Sequence, residues 1–349
     1  MGQTAVRQHM KKTFRTLSII CFSIISCSVS TNSSDKKNDL NKYGFNGKVK
    51  SVKSELFNLI SEKDTFKIGN KENGIGIDKN LVLEFNQLGN LTLSKEFLAN
   101  GDIRKETSYT YDKRDRLLDL REIDHYGKGS VLEYNYSYNS QDSITQLVIR
   151  KNDFKRTYKI ERDEDNRPIK REIIQNDTIS TYNARYDSNN NLISESEFDY
   201  ENKPIRLVER SFNSQNLKER EKITQYSDWD TIEAENKYFY NKNNKKIVEQ
   251  FNIENDSTFD ETKYKYHKNG KLKESTTVIG DDEFILVEKN QYNENGDLTE
   301  KIVKTSDGET NDVWSYDFKY DSENNWIEKI EFKNDKPLRI LKRTIDYYK

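Results

Sequence analysis

Tyr266-His267-Lys268-Asn269-Gly270-Lys271-Leu272 returns 26 residues later as Tyr292-Asn293-Glu294-Asn295-Gly296-Asp297-Leu298. Phe85-Asn86-Gln87-Leu88-Gly89-Asn90-Leu91 is a third clear copy. The phrase is an aromatic anchor, Asn or Asp, two free positions, then Gly, Asn or Asp, one free position and Leu. A steady period of this length marks a repeat architecture. Anchors stand at Phe85, Tyr111, Tyr138, Arg162, Tyr186, Phe212, Tyr240, Tyr266, Tyr292 and Tyr320, spaced by 26, 27, 24, 24, 26, 28, 26, 26 and 28 residues. Arg162 marks a degenerate copy, and His267 replaces the Asn/Asp that follows the other anchors.

Four residues past the anchors stand Gly89, Asp115, Asp142, Asn166, Asn190, Asn216, Asn244, Gly270, Gly296 and Asn324. All belong to the residue types that tolerate positive φ. The Asx side chain can accept a backbone hydrogen bond two residues on, and the left-handed residue closes a type I turn with a bulge. Extended structure resumes two positions later at Leu91, Leu117, Ile144, Leu192, Leu272, Leu298 or Trp326. In the copies at Arg162, Phe212 and Tyr240 the apolar residue (Ile169, Leu217, Ile247) is one position early or late. Pairs spaced by two, such as Tyr109/Tyr111 and Tyr264/Tyr266, put side chains on one face of a strand. Each repeat therefore predicts one β-hairpin. The fold class is all-β: an elongated, twisted antiparallel meander of about ten hairpins, whose twenty strands would extend roughly 95 Å at about 4.8 Å each.

The 349 residues are 33% hydrophobic and 34% charged, with a mean hydropathy of −1.03. That supports a narrow core shared between neighbouring repeats rather than a thick one. The N-terminus reads as a targeting segment. Lys11, Lys12 and Arg15 precede the apolar run Leu17–Ile25, which is signal-peptide length. Met10-Lys11-Lys12 has the form of a start, which would leave residues 1–9 outside the translated chain. Ile24-Ile25-Ser26-Cys27 resembles a bacterial lipobox with Cys27 as the lipid-attachment residue; cleavage after Ser28 is the alternative. The expected organisation is a signal peptide over 1–26, a lipid-anchored tether over 27–41, N-terminal capping strands over 42–84 and the repeat array over 85–349.

Both cysteines, Cys21 and Cys27, fall within the targeting segment, so the exported chain is expected to lack a disulfide and a catalytic thiol. Beyond residue 26 the chain carries 54 Lys and Arg against 60 Asp and Glu, a net charge of −6. That disfavours nucleic acid or an anionic membrane surface as partner; the membrane is reached through the N-terminal lipid.

Candidate chemistry is sparse, and no cofactor or metal site is expected. His125 and His267 sit in different repeats without serine-base or metal-ligand spacing. Gly69–Gly76 and Tyr126–Ser130 lack the Gly-Lys-Ser/Thr ending of a phosphate loop. Asp163-Glu164-Asp165-Asn166 lacks the central Gly of a calcium loop and has Ile174 where its twelfth-position Glu would stand. Asp281-Asp282-Glu283 is another acidic cluster. The aromatic anchors read as a packing ladder, since cross-strand aromatic pairs stabilise a sheet by roughly 0.2–1 kcal/mol each. Trp326 takes the Leu position of its copy and reads the same way. Trp229 and Trp314 fall outside the phrase and are the candidate ligand contacts.

Tyr111-Asp112, Tyr186-Asp187 and Tyr320-Asp321 give the phrase the name-giving dipeptide of the YD repeat, and residues 81–349 resemble the RHS family. The resemblance implies a curled β-sheet, which long members build into a shell around a toxin segment. Ten repeats without an appended toxin domain suggest a short lipoprotein-type member. Tyr266–Glu274 also resembles MORN repeats, although 14 glycines in the chain are few for that family.

The expected function is an exported, lipid-anchored protein of the Gram-negative outer membrane. It would act as a non-enzymatic binding or structural surface for an envelope protein or glycan. An exported carbohydrate-active enzyme using paired carboxylates on neighbouring strands is the alternative, and an envelope chaperone or immunity factor a third.

Overall fold

The repeat turns form as the spacing demands. A computed structural model of the protein describes residues 38–349 apart from 64, 75–77, 128 and 282. All ten residues four places past the anchors have positive φ, from 59° at Asp115 and Asn244 to 91° at Gly296. In the copy at Tyr266, Gly270 N donates to His267 O and His267 N to Lys271 O, each at 2.9 Å. Asn86 Oδ1 accepts from the amides of Leu88 and Asn90, both at 3.0 Å, and the Asx residues of the other copies do likewise. His267 has no such oxygen, so Asn269 Oδ1 takes the Lys271 amide at 3.0 Å instead. Every anchor pairs with the residue six places on across a bulge, as Phe85 with Leu91 and Tyr320 with Trp326. The copies with a displaced apolar residue keep this frame, restarting at Pro168, Lys218 and Lys246.

Anchor hydroxyls join one repeat to the preceding one. Tyr111, Tyr138, Tyr240 and Tyr266 donate to the carbonyls of Leu91, Leu117, Lys218 and Lys246 at 2.6–2.7 Å, and Tyr186 to Pro168 O at 3.1 Å. Each carbonyl lies two residues beyond the last paired residue of the inter-repeat ladder (Leu93, Asp119, Lys170, Arg220 and Val248) and would otherwise be unmatched. In the degenerate copy the Arg162 guanidinium does this work, donating to Ile144 O from Nε (3.3 Å) and Nη2 (3.1 Å).

The described residues contain twenty-three strands in one antiparallel sheet, starting with β1 (Val49–Glu62), β2 (Thr65–Lys71) and β3 (Asn80–Phe85). Twenty more follow, from Leu91–Phe97 to the last strand, Lys336–Tyr347. The sheet does not stay open. Val52 of β1 faces Ile345 of the last strand on one side and Leu83 of β3 on the other. With β2 paired to β1 outside the ring, twenty-two strands close into a barrel. This overturns the elongated open meander: a circular ring of that many tilted strands is only roughly 45 Å across.

The closing turn is a split copy of the phrase. Tyr347 follows Tyr320 by 27 residues and pairs with Val49, with a bulge after Val49. Tyr348 N donates to Lys48 O at 2.8 Å, and Gly47 carries the positive φ of 76°. Gly47-Lys48-Val49 thus supplies the second half of an eleventh copy whose anchor stands at the other end of the chain. Val49, Val52 and Leu56 are at most 1% exposed, and Leu83, Phe85 and Leu91 pack with the two valines. At about 1.5–3 kcal/mol per buried apolar side chain, this cluster reinforces a seam in which nine residues of β1 pair with the last strand.

Anchors and the residues two before them share the inner face, so Trp314, Tyr316, Phe318 and Tyr320 of one strand point inward. Asp317 and Lys319 between them are exposed. The outward lattice is charged elsewhere too, as in the pairs Lys265–Glu274, Arg220–Glu235 and Lys222–Glu233. A lipid-embedded barrel needs an apolar outer band, and an Arg or Lys at its midplane costs about 2–4 kcal/mol. This outer face suits water.

Tyr240→Phe should lower stability by about 0.5–1.5 kcal/mol, measured by denaturant unfolding, because Lys218 O loses its donor. Asn244→Val should cost about 1–3 kcal/mol and Asn244→Gly far less, since residue 244 sits at φ 59°. The Arg116 amide, then its guanidinium, hold the Asp112 carboxyl at about 2 against the opposing effect of desolvation. A lowered carboxyl contributes stability that is complete above its unfolded value near 4 and lost as pH falls toward 2. Asp112→Asn should therefore flatten part of the acid limb of a melting-temperature profile between about pH 4 and 2.

Candidate functional site

The two tryptophans singled out by sequence are not brought together. Trp229 is 88% exposed in the turn after Tyr226, on the rim opposite the repeat turns. Trp314 stands in the inner wall with Lys333 Nζ 5.0 Å from its ring centre, and six strands lie between the two. Cys27 lies outside the described residues. His267 Nε2 is 2.8 Å from Tyr292 O, a contact within the repeat turns. Arg167 pairs with Asp163 (2.6 Å) and Asp165 (3.3 Å), so these acids serve their own turn. Among the described residues, no group of three or more His, Cys, Asp or Glu side chains is placed to hold a metal ion.

A cavity of about 700 Å³ lies at the closure seam, on the repeat-turn rim. One wall is the segment leading to β1. Helix α1 (Asp39–Tyr43) is N-capped by Asn38, whose side chain accepts from Asn41 N at 3.1 Å, and stopped by Gly44 at φ 73°. Asp39 accepts from Leu91 N at 2.8 Å and Leu40 N donates to Gly89 O at 3.1 Å, docking the helix on the first repeat turn. Leu40 and Phe45 are buried against Phe85 and Val52. Past the helix, Asn46 and Asn325 exchange hydrogen bonds of 2.8 and 2.9 Å, tying the segment to the last complete repeat turn.

The opposite wall comes from the last strands. Trp326 packs edge-on to Phe318 at 6.2 Å, with Tyr316 and Lys329 alongside. Lys329 pairs with Asp78 at 2.6 Å; Arg339 pairs with Glu331 at 2.7 Å and reaches Asp78 at 3.7 Å. Arg343 differs. Its guanidinium lies 3.2 Å from the Trp326 ring centre and 5.2 Å from that of Phe45, and its buried Nε has no hydrogen-bond partner. Burial pushes Arg343 down to about 9, against the opposing fields of Asp78 and Asp297; it remains a cation at neutral pH. The cavity therefore combines ring faces, side-chain amides and one guanidinium between rings.

Two carboxylates line it. Asp78 is taken by Lys329, and Asp297 accepts from Tyr320 Oη at 2.8 Å. Another acidic pair, Glu233 and Glu254, shares a hydrogen bond that raises Glu254 and helps lower Glu233 beside Lys222. That pair sits toward the opposite rim, away from the cavity.

Sequence reasoning left Arg343 unremarked and assigned Trp326 to packing. Stepping back by two from Tyr347 through Ile345 places Arg343 on the anchor face, a signal available only once Tyr347 is counted as an anchor.

No family model matches the chain, and neither does any curated protein. Among solved structures, the TcdB2–TccC3–Cdc42 structure aligns over 78% of this chain and 19% of its own, at 12% identity and a TM-score of 0.31. The Photorhabdus luminescens Tc holotoxin pore aligns over 79% and 17%, at 11% identity and a TM-score of 0.31. A porin-like protein from Bacteroides uniformis aligns over 85% and 96%, at 11% identity and a TM-score of 0.25. The chain spans about a fifth of the length of the toxin chains it matches.

Replacing Arg343 by Met removes a desolvated charge while keeping an unbranched stem against Trp326. The variant should unfold at higher temperature, by an increment worth about 1–2 kcal/mol. Calorimetry against the unaltered chain checks this.

Proposed function

We propose that the chain is an exported envelope protein, lipid-anchored through Cys27. Its closed barrel serves as a non-enzymatic binding surface for a protein or glycan, as a short YD/RHS-like member. The observation that carries this reading is the seam cavity, where a guanidinium is held between Trp326 and Phe45 without a carboxylate partner among the described residues. Fold maintenance does not call for such a group, because a desolvated charge costs stability; ligand recognition does. Support also comes from the repeat itself, whose anchors and turn residues are accounted for by hairpin geometry. The charged outer lattice fits a barrel tethered at a membrane rather than embedded in it.

Cells expressing the full chain should incorporate labelled palmitate, and Cys27→Ala should abolish the label. Solubilised protein should capture an envelope protein or a defined glycan class on an array without consuming it. Palmitate retained by Cys27→Ala refutes the anchor, and turnover of a captured glycan refutes the non-enzymatic reading.

A further inference from the structure

Arg343 is the starting point. Neighbouring cations at the seam have carboxylates: Lys329 has Asp78, and Arg339 has Glu331. No carboxylate among the described residues lies within ion-pair distance of Arg343, which has a ring on either side instead. Stacking occupies the faces of a guanidinium and leaves its N–H edge free, the geometry that grips a carboxylate with two parallel hydrogen bonds.

The rest of the cavity narrows the ligand. Trp326 and Phe318 offer ring faces, and Tyr316 adds a third aromatic side chain. At the rim, Asn295 Nδ2 and Asn324 Nδ2 each donate to the other's Oδ1, at 3.3 and 2.9 Å. Each amide keeps a second N–H and a second lone pair, donor and acceptor capacity that suits hydroxyl groups. Exposed Lys271 stands at the mouth with its Nζ on Asn295 O at 2.9 Å. A volume near 700 Å³ falls in the range of small-ligand sites. Peptide capture by strand addition is disfavoured here, because the strands around the cavity are paired on both sides.

We infer that the seam cavity binds a carboxylate-bearing saccharide, with its acid group on the Arg343 edge and a sugar face against Trp326. The inference rests on the barrel being a binding surface and names the ligand class and the site.

Tryptophan emission tests it. The chain has three tryptophans, so the double substitution Trp229→Phe and Trp314→Phe leaves Trp326 as the reporter. The probes are disaccharides ending in galacturonic, glucuronic or N-acetylneuraminic acid, their uncharged counterparts, and a short peptide ending in Glu. At least one acidic disaccharide should shift Trp326 emission saturably, with its neutral counterpart at least tenfold weaker. Arg343→Met should weaken binding at least tenfold while the protein stays folded by circular dichroism. Lys271→Gln, on the exposed mouth, should weaken it several-fold and gives a second reading should Arg343→Met fail to fold. Equal binding of neutral sugars, binding of the peptide instead, unchanged affinity in Arg343→Met, or silence of Trp326 toward every acidic probe overturns the site. Glycan capture by the full chain with Trp326 silent leaves the binding-surface reading standing and removes only this site.

Discussion

Inter-repeat ladders stop two residues short of the turn rim, and at that point each carbonyl needs a donor or water. Tyr111, Tyr138, Tyr186, Tyr240 and Tyr266 supply one from a ring that also packs on the inner face. That double duty explains why tyrosine rather than phenylalanine or leucine dominates the anchor position. A hydroxyl at the end of a rigid ring ties one hairpin to the preceding one where the backbone ladder has ended. Arg162 supports this account, because a residue of different chemistry in the degenerate copy satisfies the same carbonyl.

Curvature alone does not close a ring; the ends must also agree in register. Here they agree because Gly47-Lys48-Val49 and Tyr347-Tyr348 together rebuild one turn of the phrase. β1 completes the hairpin that the last strand begins, and its valines and Leu56 fill the joint. Closure removes two exposed sheet edges, a standing hazard for a long antiparallel sheet. It also brings a non-repeated segment, residues 38–48, against the repeat wall. The cavity and the stacked Arg343 lie at that meeting point.

Much of the wall was legible in the chain. Gly, Asn or Asp at a fixed place after each anchor has few explanations other than a left-handed turn residue, and all ten adopt positive φ. Closure was not legible, because half of the eleventh copy precedes the first complete one by nearly forty residues and carries no aromatic of its own. An open array was the natural expectation for a sequence whose last anchor had no visible partner. The candidate site was hidden for a related reason. Arg343 looks like any solvated cation in a charged strand until the anchor at Tyr347 fixes its face, and Phe45 comes from a segment outside the period. Trp229 and Trp314 stood out because they broke the pattern, but breaking a pattern carries no information about proximity.

The closed ring is the claim on which the seam cavity and its chemistry depend. Ser51 and Asp346 face one another across the joint, with Ser51 Oγ donating to Asp346 Oδ2 at 2.9 Å. Directly paired antiparallel residues have Cα atoms about 4.5–5.5 Å apart, within disulfide reach. In a chain with Cys21 and Cys27 replaced by Ser, the pair Ser51→Cys and Asp346→Cys should oxidise to an intramolecular disulfide in the folded monomer, seen as a reducible mobility shift that urea suppresses. Two free thiols persisting in the folded monomer under oxidising conditions would contradict the ring.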